Sequence, residues 1–173
     1  MAKTVIAYFS HAGQNYSHGE IRSLPVGNTE VVAKKIHDLI DSDLFFIDTV
    51  QKYPDDHMKK IEIAKQEYND NARPELTARV ENMDEYDTVI VAFPNWWTTM
   101  PMALFTFLES YDFSGKTLCP LITHGGSGFS NSLNDIKKLC PGADITEGLA
   151  IHGDNAATCD KTVEKWLSKV GLK

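Results

Sequence analysis

Three short stretches combine residue types that could hold a small anion and a flat ring. The first is interrupted: Ser10-His11-Ala12-Gly13 follows an apolar run, Gly27-Asn28-Thr29 opens a helix-like pattern, and Gln14 to Val26 separates them. A loop that leaves a strand and enters a helix turns backbone N–H groups outward, and the helix dipole adds partial positive charge. Ser10 and Thr29 add hydroxyl donors, Asn28 adds an amide, and the glycines allow close backbone approach. The chain has neither G-x-x-x-x-G-K-[ST] nor G-x-G-x-x-G. That disfavours triphosphate and dinucleotide turns and leaves a single phosphate held by neutral donors as the better fit. The second stretch, Pro94-Asn95-Trp96-Trp97-Thr98-Thr99-Met100-Pro101, offers aromatic surface to a planar ligand. The third, Thr123-His124-Gly125-Gly126-Ser127-Gly128, lets backbone lie against a ligand edge. Each also has a plainly structural reading: a capped helix, tryptophans anchoring a core, a solvated histidine.

The surrounding pattern must bring these stretches to one place. Thr4–Phe9, Leu44–Ile47, Thr88–Phe93, Lys116–Thr123 and Ala150-Ile151 read as strands, mostly continuous apolar runs of the kind buried on both faces of a parallel sheet. Helical spacing follows from Asn28 through Ile40, with Asn28 expected as the N-cap, and again from Pro101 to Leu108. Further helices are expected after Gly128, around Leu133, Ile136 and Leu139, and from Thr158 to Val170. Between Tyr53 and Asn71, His57, Ile61, Ala64 and Tyr68 define one expected helix side. Pro120 argues for a bulge or an irregular edge in its strand. Strands alternating with helices imply an α/β three-layer sandwich. In such a sheet ligands bind beyond the carboxyl ends of the strands, where the strand order reverses. The loops after Phe9, Phe93 and Thr123 lie at that edge, and they are the three stretches above.

Composition narrows the classes. One domain over residues 1–173 is expected, with 42% hydrophobic and 24% charged residues, as in ordinary globular proteins. No apolar run is long enough to span a bilayer, so no membrane partner is expected. The net charge of −7 and the lack of a basic run argue against nucleic acid and suit basic partner proteins. Cys119, Cys140 and Cys159 are odd in number and far apart, which fits buried thiols in a reducing cytoplasm rather than a metal or disulfide framework.

A planar heteroaromatic with one terminal phosphate satisfies all three loops, and FMN is the chemical fit. VIAYFS followed by GNTEVVA, VIVAFPNWW with its later Met-Pro, and THGGSG resemble the flavodoxin family over essentially the whole chain. The branch it looks most similar to carries an insert between the first strand and the GNT turn. The resemblance implies a five-stranded parallel sheet of order 2-1-3-4-5. It also implies that Ser10, His11, Ala12, Asn28 and Thr29 hold the phosphate. Pro94, Asn95, Trp96 and Trp97 would flank the ribityl chain and ring, and Thr123, Gly125 and Gly126 would line the other ring edge. This chain departs from the family at Thr98, where glycine is common, and no residue from Pro94 to Pro101 is glycine. That departure points to two-electron behaviour.

The expected function is an electron carrier between redox partner proteins. Its rival is an NAD(P)H-dependent FMN quinone or flavin reductase on the same scaffold, with His124 or Tyr16 as polar contacts. The acidic balance is expected to disfavour negative charge on a reduced flavin and so lower its potential. The role of Gln14–Val26 is left open between touching phosphate, shielding the ring and meeting a partner.

Overall fold

The computed structural model describes residues 3–173. Its element order begins β1 (Thr4–Tyr8), β2 (Gly13–Ser17), β3 (Glu20–Leu24), α1 (Asn28–Leu39), β4 (Asp43–Phe46) and α2 (His57–Asn69). It continues through β5 (Thr88–Pro94), α3 (Met102–Glu109), β6 (Thr117–His124), α4 (Ser132–Leu139), β7 (Asp144–Ile145), β8 (Leu149–His152) and α5 (Asp160–Lys169). The main sheet is parallel throughout, in the order β4-β1-β5-β6, with β7 and β8 both pairing the outer edge of β6. The chain order therefore reverses between β1 and β5.

Alternation along β1 explains the three layers. Val5, Ala7 and Phe9 enter a core shared with Leu104 and Phe107 of α3 and Ile136 of α4. Ile6 and Tyr8 point the other way, into a core with Val32 and Ile36 of α1 and Val163, Trp166 and Leu167 of α5. Strands buried on both faces need near-continuous apolar sequence, and β1 and β5 have it.

The fifth sheet position is occupied by two pieces rather than by the one strand expected at Ala150-Ile151, and Pro120 accounts for the break. Thr117 N–H donates to Asp87 on the β5 side, while Leu118 C=O accepts from Thr146 on the outer side. Even-numbered residues of β6 thus face outward, and Pro120 has no N–H to offer there. The outer strand stops pairing after Ile145 and resumes at Leu149. The irregularity anticipated for Pro120's own strand falls on its neighbour, while β6 stays in register with β5 through Pro120.

Residues 13–24, most of the insert, form an antiparallel hairpin of β2 and β3. Its two-residue turn, His18-Gly19, has φ of 52° and 81°. Positive φ at both central positions is the geometry whose twist matches a hairpin, and glycine at the second makes it accessible.

A cleft at the sheet edge

The loops after β1, β5 and β6 converge on one cleft of about 490 Å³, walled also by α2, by the hairpin and by the turn after β8. Ser10, His11, Asn28, Thr29, Pro94, Asn95, Trp96, Trp97, Thr123 and Gly125 all line it. Ala12 and Gly126 lie in the same loops but are not part of the lining. Among the described residues no cluster of three or more His, Cys, Asp or Glu could hold a metal ion.

At one end, the two halves of the interrupted loop are joined. Ser10 Oγ accepts a hydrogen bond from Glu30 N–H at 3.1 Å, so a side chain from the first half caps α1 in the second. The N-cap position belongs to Gly27, not to Asn28 as expected; Gly27 offers no side chain, and Ser10 supplies the missing acceptor. A Cβ at Gly27 would sit 2.1 Å from Ser10 Oγ and 2.8 Å from His11 C=O, so only glycine fits. Thr29, 1% exposed, shares a 2.7 Å hydroxyl contact with Thr123, which ties α1 to the end of β6. This end is neutral: hydroxyls, an amide and the α1 N-terminus, a set suited to an anion.

Toward the centre, Asn95 binds the β5 and β6 loops together. Its N–H donates to Thr123 C=O at 2.9 Å, and its side-chain amide donates to Ser127 Oγ at 2.6 Å and Ser130 Oγ at 2.9 Å. His124 Nδ1 accepts from Gly126 N–H at 2.9 Å. Burial, and then the neighbouring His152, hold His124 below the usual imidazole range. Its ring is neutral near pH 7, which leaves Nε2 as a donor.

At the opposite end the two tryptophans part company. Trp96 is half-buried and meets Phe9 and Tyr53 edge-on, with centroids at 5.0 and 4.8 Å. Trp97 is 40% exposed, with Lys65 Nζ 5.3 Å from its ring centre. Mutual hydrogen bonds between the Trp96 and Thr99 backbones close a tight turn whose corners, Trp97 and Thr98, have φ of 50° and 71°. A left-handed backbone is costly for a tryptophan and more so for a β-branched threonine. The turn is fixed from α4: Asn131 N–H donates to Thr98 C=O at 2.9 Å, and Thr99 Oγ1 donates to the Asp135 carboxylate. Glycine's absence from this loop has therefore not removed the left-handed conformation; it has loaded it onto side-chain-bearing residues.

Helix α2 turns His57, Ile61 and Ala64 inward as expected, with Lys60 added to that side and Tyr68 left out of it. Tyr68 is exposed, whereas Lys60 is 4% exposed and lines the cleft beside His57, Ile61 and Ala64. Lys60 Nζ donates to Gln14 C=O at 2.8 Å and Asn15 Oδ1 at 3.1 Å, and lies 3.4 Å from His11 Nδ1. Trp96's ring centre is 5.9 Å away. Burial pulls this ammonium down to about 8. His11 is held below the imidazole range by burial first and Lys60 second. The hairpin is fixed at its root by Lys60 and by Gln14 Oε1, which accepts from His57 N–H at 2.9 Å. Its tip reaches across to the turn after β8, where His18 N–H donates to Asp154 Oδ1 at 2.8 Å. Asn15, Tyr16, His18 and Gly19 thereby form a fourth wall.

Sequence reasoning missed Lys60, His57 and the turn His152-Gly153-Asp154. Lys60 lies three positions after His57 and four before Ala64, on the expected side, but lysine is ordinarily exposed and its residue type hid it. The hairpin turn was legible in principle, since a glycine-containing pair between alternating residues marks one.

An open parallel sheet with a cleft at its switch point, neutral donors at one end and aromatics at the other, is the arrangement of the doubly wound α/β class, whose ligand sites lie in the strand-end loops. Residues 22–170 match the family described as Flavodoxin, and the chain belongs to the flavodoxin family. A crystal structure of a protein described as a flavoprotein from Bacteroides eggerthii is 30% identical, with a TM-score of 0.81 over 100% of both chains. A Lactobacillus acidophilus flavoprotein solved in complex with FMN is 22% identical, with a TM-score of 0.67 over 96% of this chain and 99% of that one. A Bacillus anthracis azoreductase is 13% identical, with a TM-score of 0.53 over 97% of this chain and 98% of that one. These last two are likenesses of fold. No curated protein matches the chain. No helix among the described residues is long and apolar enough to cross a membrane.

Proposed function

We propose that the protein binds FMN in this cleft and carries electrons between redox partner proteins. The observation that carries the reading is the convergence, in a flavodoxin-family chain, of a neutral anion-holding end and an aromatic end on one continuous cleft. Ser10, His11, Asn28 and Thr29 would hold the phosphate, with Ala12 beside them. Pro94, Asn95, Trp96 and Trp97 would flank the ribityl chain and ring, and Thr123, Gly125 and Gly126 the far edge. Bound FMN supplies the redox chemistry. The chain's own residues orient it: Asn95 fixes the distance between two loops, Thr29 and Thr123 lock the helix to the sheet, and the hairpin limits access of water. Support comes also from the Lactobacillus acidophilus relative, which was solved with FMN. The acidic balance of −7 suits brief docking to basic faces of partner proteins. Three buried thiols, all held upward by burial, suit a reducing cytoplasm.

A second reading, an NAD(P)H-dependent reductase of quinones or flavins, draws on one specific feature. The cleft continues past the residues assigned to FMN to His57, Ile61, Ala64 and Tyr16, a wall that a second planar ligand could use. Steady-state NAD(P)H oxidation by the FMN-loaded protein separates the two. Near-background turnover with quinones, rising when a partner reductase is added, supports the carrier. Rapid turnover by the isolated protein establishes the reductase.

A further inference from the structure

The hairpin inserted into the interrupted loop is held at two places, and both adjoin the anion-holding end of the cleft. At its root Gln14 N–H donates to Asp55 C=O, and Asn15 Nδ2 donates to His11 C=O at 2.9 Å. Lys60 Nζ adds bonds to Gln14 C=O and Asn15 Oδ1. At its tip Ser17 is 5% exposed, and His18 N–H donates to Asp154 Oδ1 at 2.8 Å. Strand β3 is exposed from Glu20 to Ser23, so the hold on the body falls to β2 and the tip. Between the two anchors Asn15, Tyr16, His18 and Gly19 border the cleft. His11, at the root, is one of the residues assigned to the phosphate. Asp154, at the tip, follows Gly153, where an added Cβ would stand 2.5 Å from the side-chain amide of Asn28, another of them. The anchors are unequal. Several bonds, one of them from a buried ammonium, secure the root, whereas one hydrogen bond to a carboxylate secures the tip. That carboxylate is itself fixed, because Asp154 N–H donates to His152 Nδ1 at 3.2 Å. The ring nitrogens of His18 and His152 stand 3.8 and 3.7 Å from it, outside hydrogen-bond reach, so the backbone N–H of His18 is the contact that closes the tip.

We propose that the hairpin is a strap across the ligand's terminal phosphate and that Asp154 is the positioning residue that keeps it closed. The assignment rests on the FMN reading. It gives the insert to the phosphate, rather than to the ring or to a partner protein. The donors of the α1 end hold the phosphate, and the strap governs how fast it leaves, because escape requires the tip to lift from Asp154. A hydrogen bond to an ionised acceptor is stronger than one between neutral groups, which suits a single bond to this task. The same bond is the first cause that holds the Asp154 carboxyl below its usual range. The latch is therefore set wherever the carboxylate is ionised.

The test is stopped-flow release of FMN and of riboflavin from wild type, Asp154→Ala and Asp154→Asn, followed by flavin fluorescence after dilution. Asp154→Ala should release FMN about tenfold faster or more, as expected on losing a hydrogen bond to a charged acceptor. Riboflavin has no phosphate under the strap, and its release should quicken by less than about threefold. Asp154→Asn keeps an oxygen that can accept from His18 N–H, and it should release FMN at a rate closer to wild type than to Asp154→Ala. A wild type that binds FMN, with release unmoved in Asp154→Ala, overturns the strap alone. Equal acceleration of FMN and riboflavin also overturns it, because the hairpin would then cover the ring. A wild type that takes up no FMN defeats the underlying reading, and this one with it.

Discussion

The α1 end of the cleft and the tryptophan end solve the same problem, holding a ligand beyond a sheet edge, with different materials. At the α1 end the donors are neutral, backbone conformations are ordinary, and the key contacts tie α1 to the loop after β1 through Ser10 and to the end of β6 through Thr29 and Thr123. Elsewhere in the cleft the Trp97-Thr98 turn is left-handed, and a buried ammonium on α2 is solvated by the root of the inserted hairpin. The first end draws its precision from the sheet and helix that make the fold. The rest of the cleft has conformational cost stored in it, and that cost is offset by neighbours: α4 fixes the turn, and the hairpin root solvates Lys60. The difference implies that changes at the α1 end alter binding through shape, whereas changes at the tryptophan end separate stability from ligand chemistry.

The sharpest separation should come from the adjacent tryptophans. Trp96→Ala removes a ring packed on Phe9 and Tyr53 and should lower stability by about 3 kcal/mol in urea unfolding of the apo-protein. Trp97→Ala should cost clearly less stability, about 1 kcal/mol, because the residue is 40% exposed and lies outside the core. By analogy with bases stacking on aromatics, it should weaken FMN by about 1–3 kcal/mol. Equal effects of the two on unfolding would erase the distinction drawn between them.

Lys60 makes the cleft sensitive to pH. Its folded-state value of about 8 lies below the ordinary 10.5, so between those limits the unfolded chain binds more protons. Apo wild type should therefore gain stability relative to Lys60→Met as pH rises from 8 to 10.5, by at most about 3 kcal/mol. Below pH 8 the lysine's cost is present in full and the difference is flat. Urea midpoints at pH 7 to 10 read this directly, and a constant difference would show that the ammonium is not desolvated.

A smaller effect tests the α1 end. Gly27→Ala drives a methyl into Ser10 Oγ and His11 C=O, costing about 2 kcal/mol of stability. FMN affinity should fall with it, and full retention of affinity would mean that the cradle does not depend on this approach. The smallest change expected is a gain. Thr98→Gly relieves a β-branched residue at φ 71° and should raise stability by about 1 kcal/mol, read as a higher urea midpoint.

The same contrast explains how much the sequence disclosed. The alternation of strands and helices and the loops that meet at the cleft follow from apolar runs, helical spacing and the strand-end rule, while the order β4-β1-β5-β6 and ten of the lining residues are implied by the resemblance to the flavodoxin family. These are local patterns, and the α1 end is made of them. The rest of the cleft depends on contacts across long separations, such as Lys60 to Gln14 and His18 to Asp154. Residue type conceals Lys60, because its burial is stabilised by carbonyl and amide oxygens of a hairpin more than forty positions away. The one-residue shift of the α1 cap has the same origin: the capping oxygen comes from Ser10, across the insert.

Titration of the apo-protein with FMN, riboflavin and FAD, followed by flavin fluorescence, tests the central claim most directly. The structure's neutral cradle at the α1 end predicts tight, stoichiometric FMN binding, with riboflavin weaker by more than about tenfold through loss of the phosphate contacts. Equal affinity for FMN and riboflavin, or no uptake of either, would contradict it.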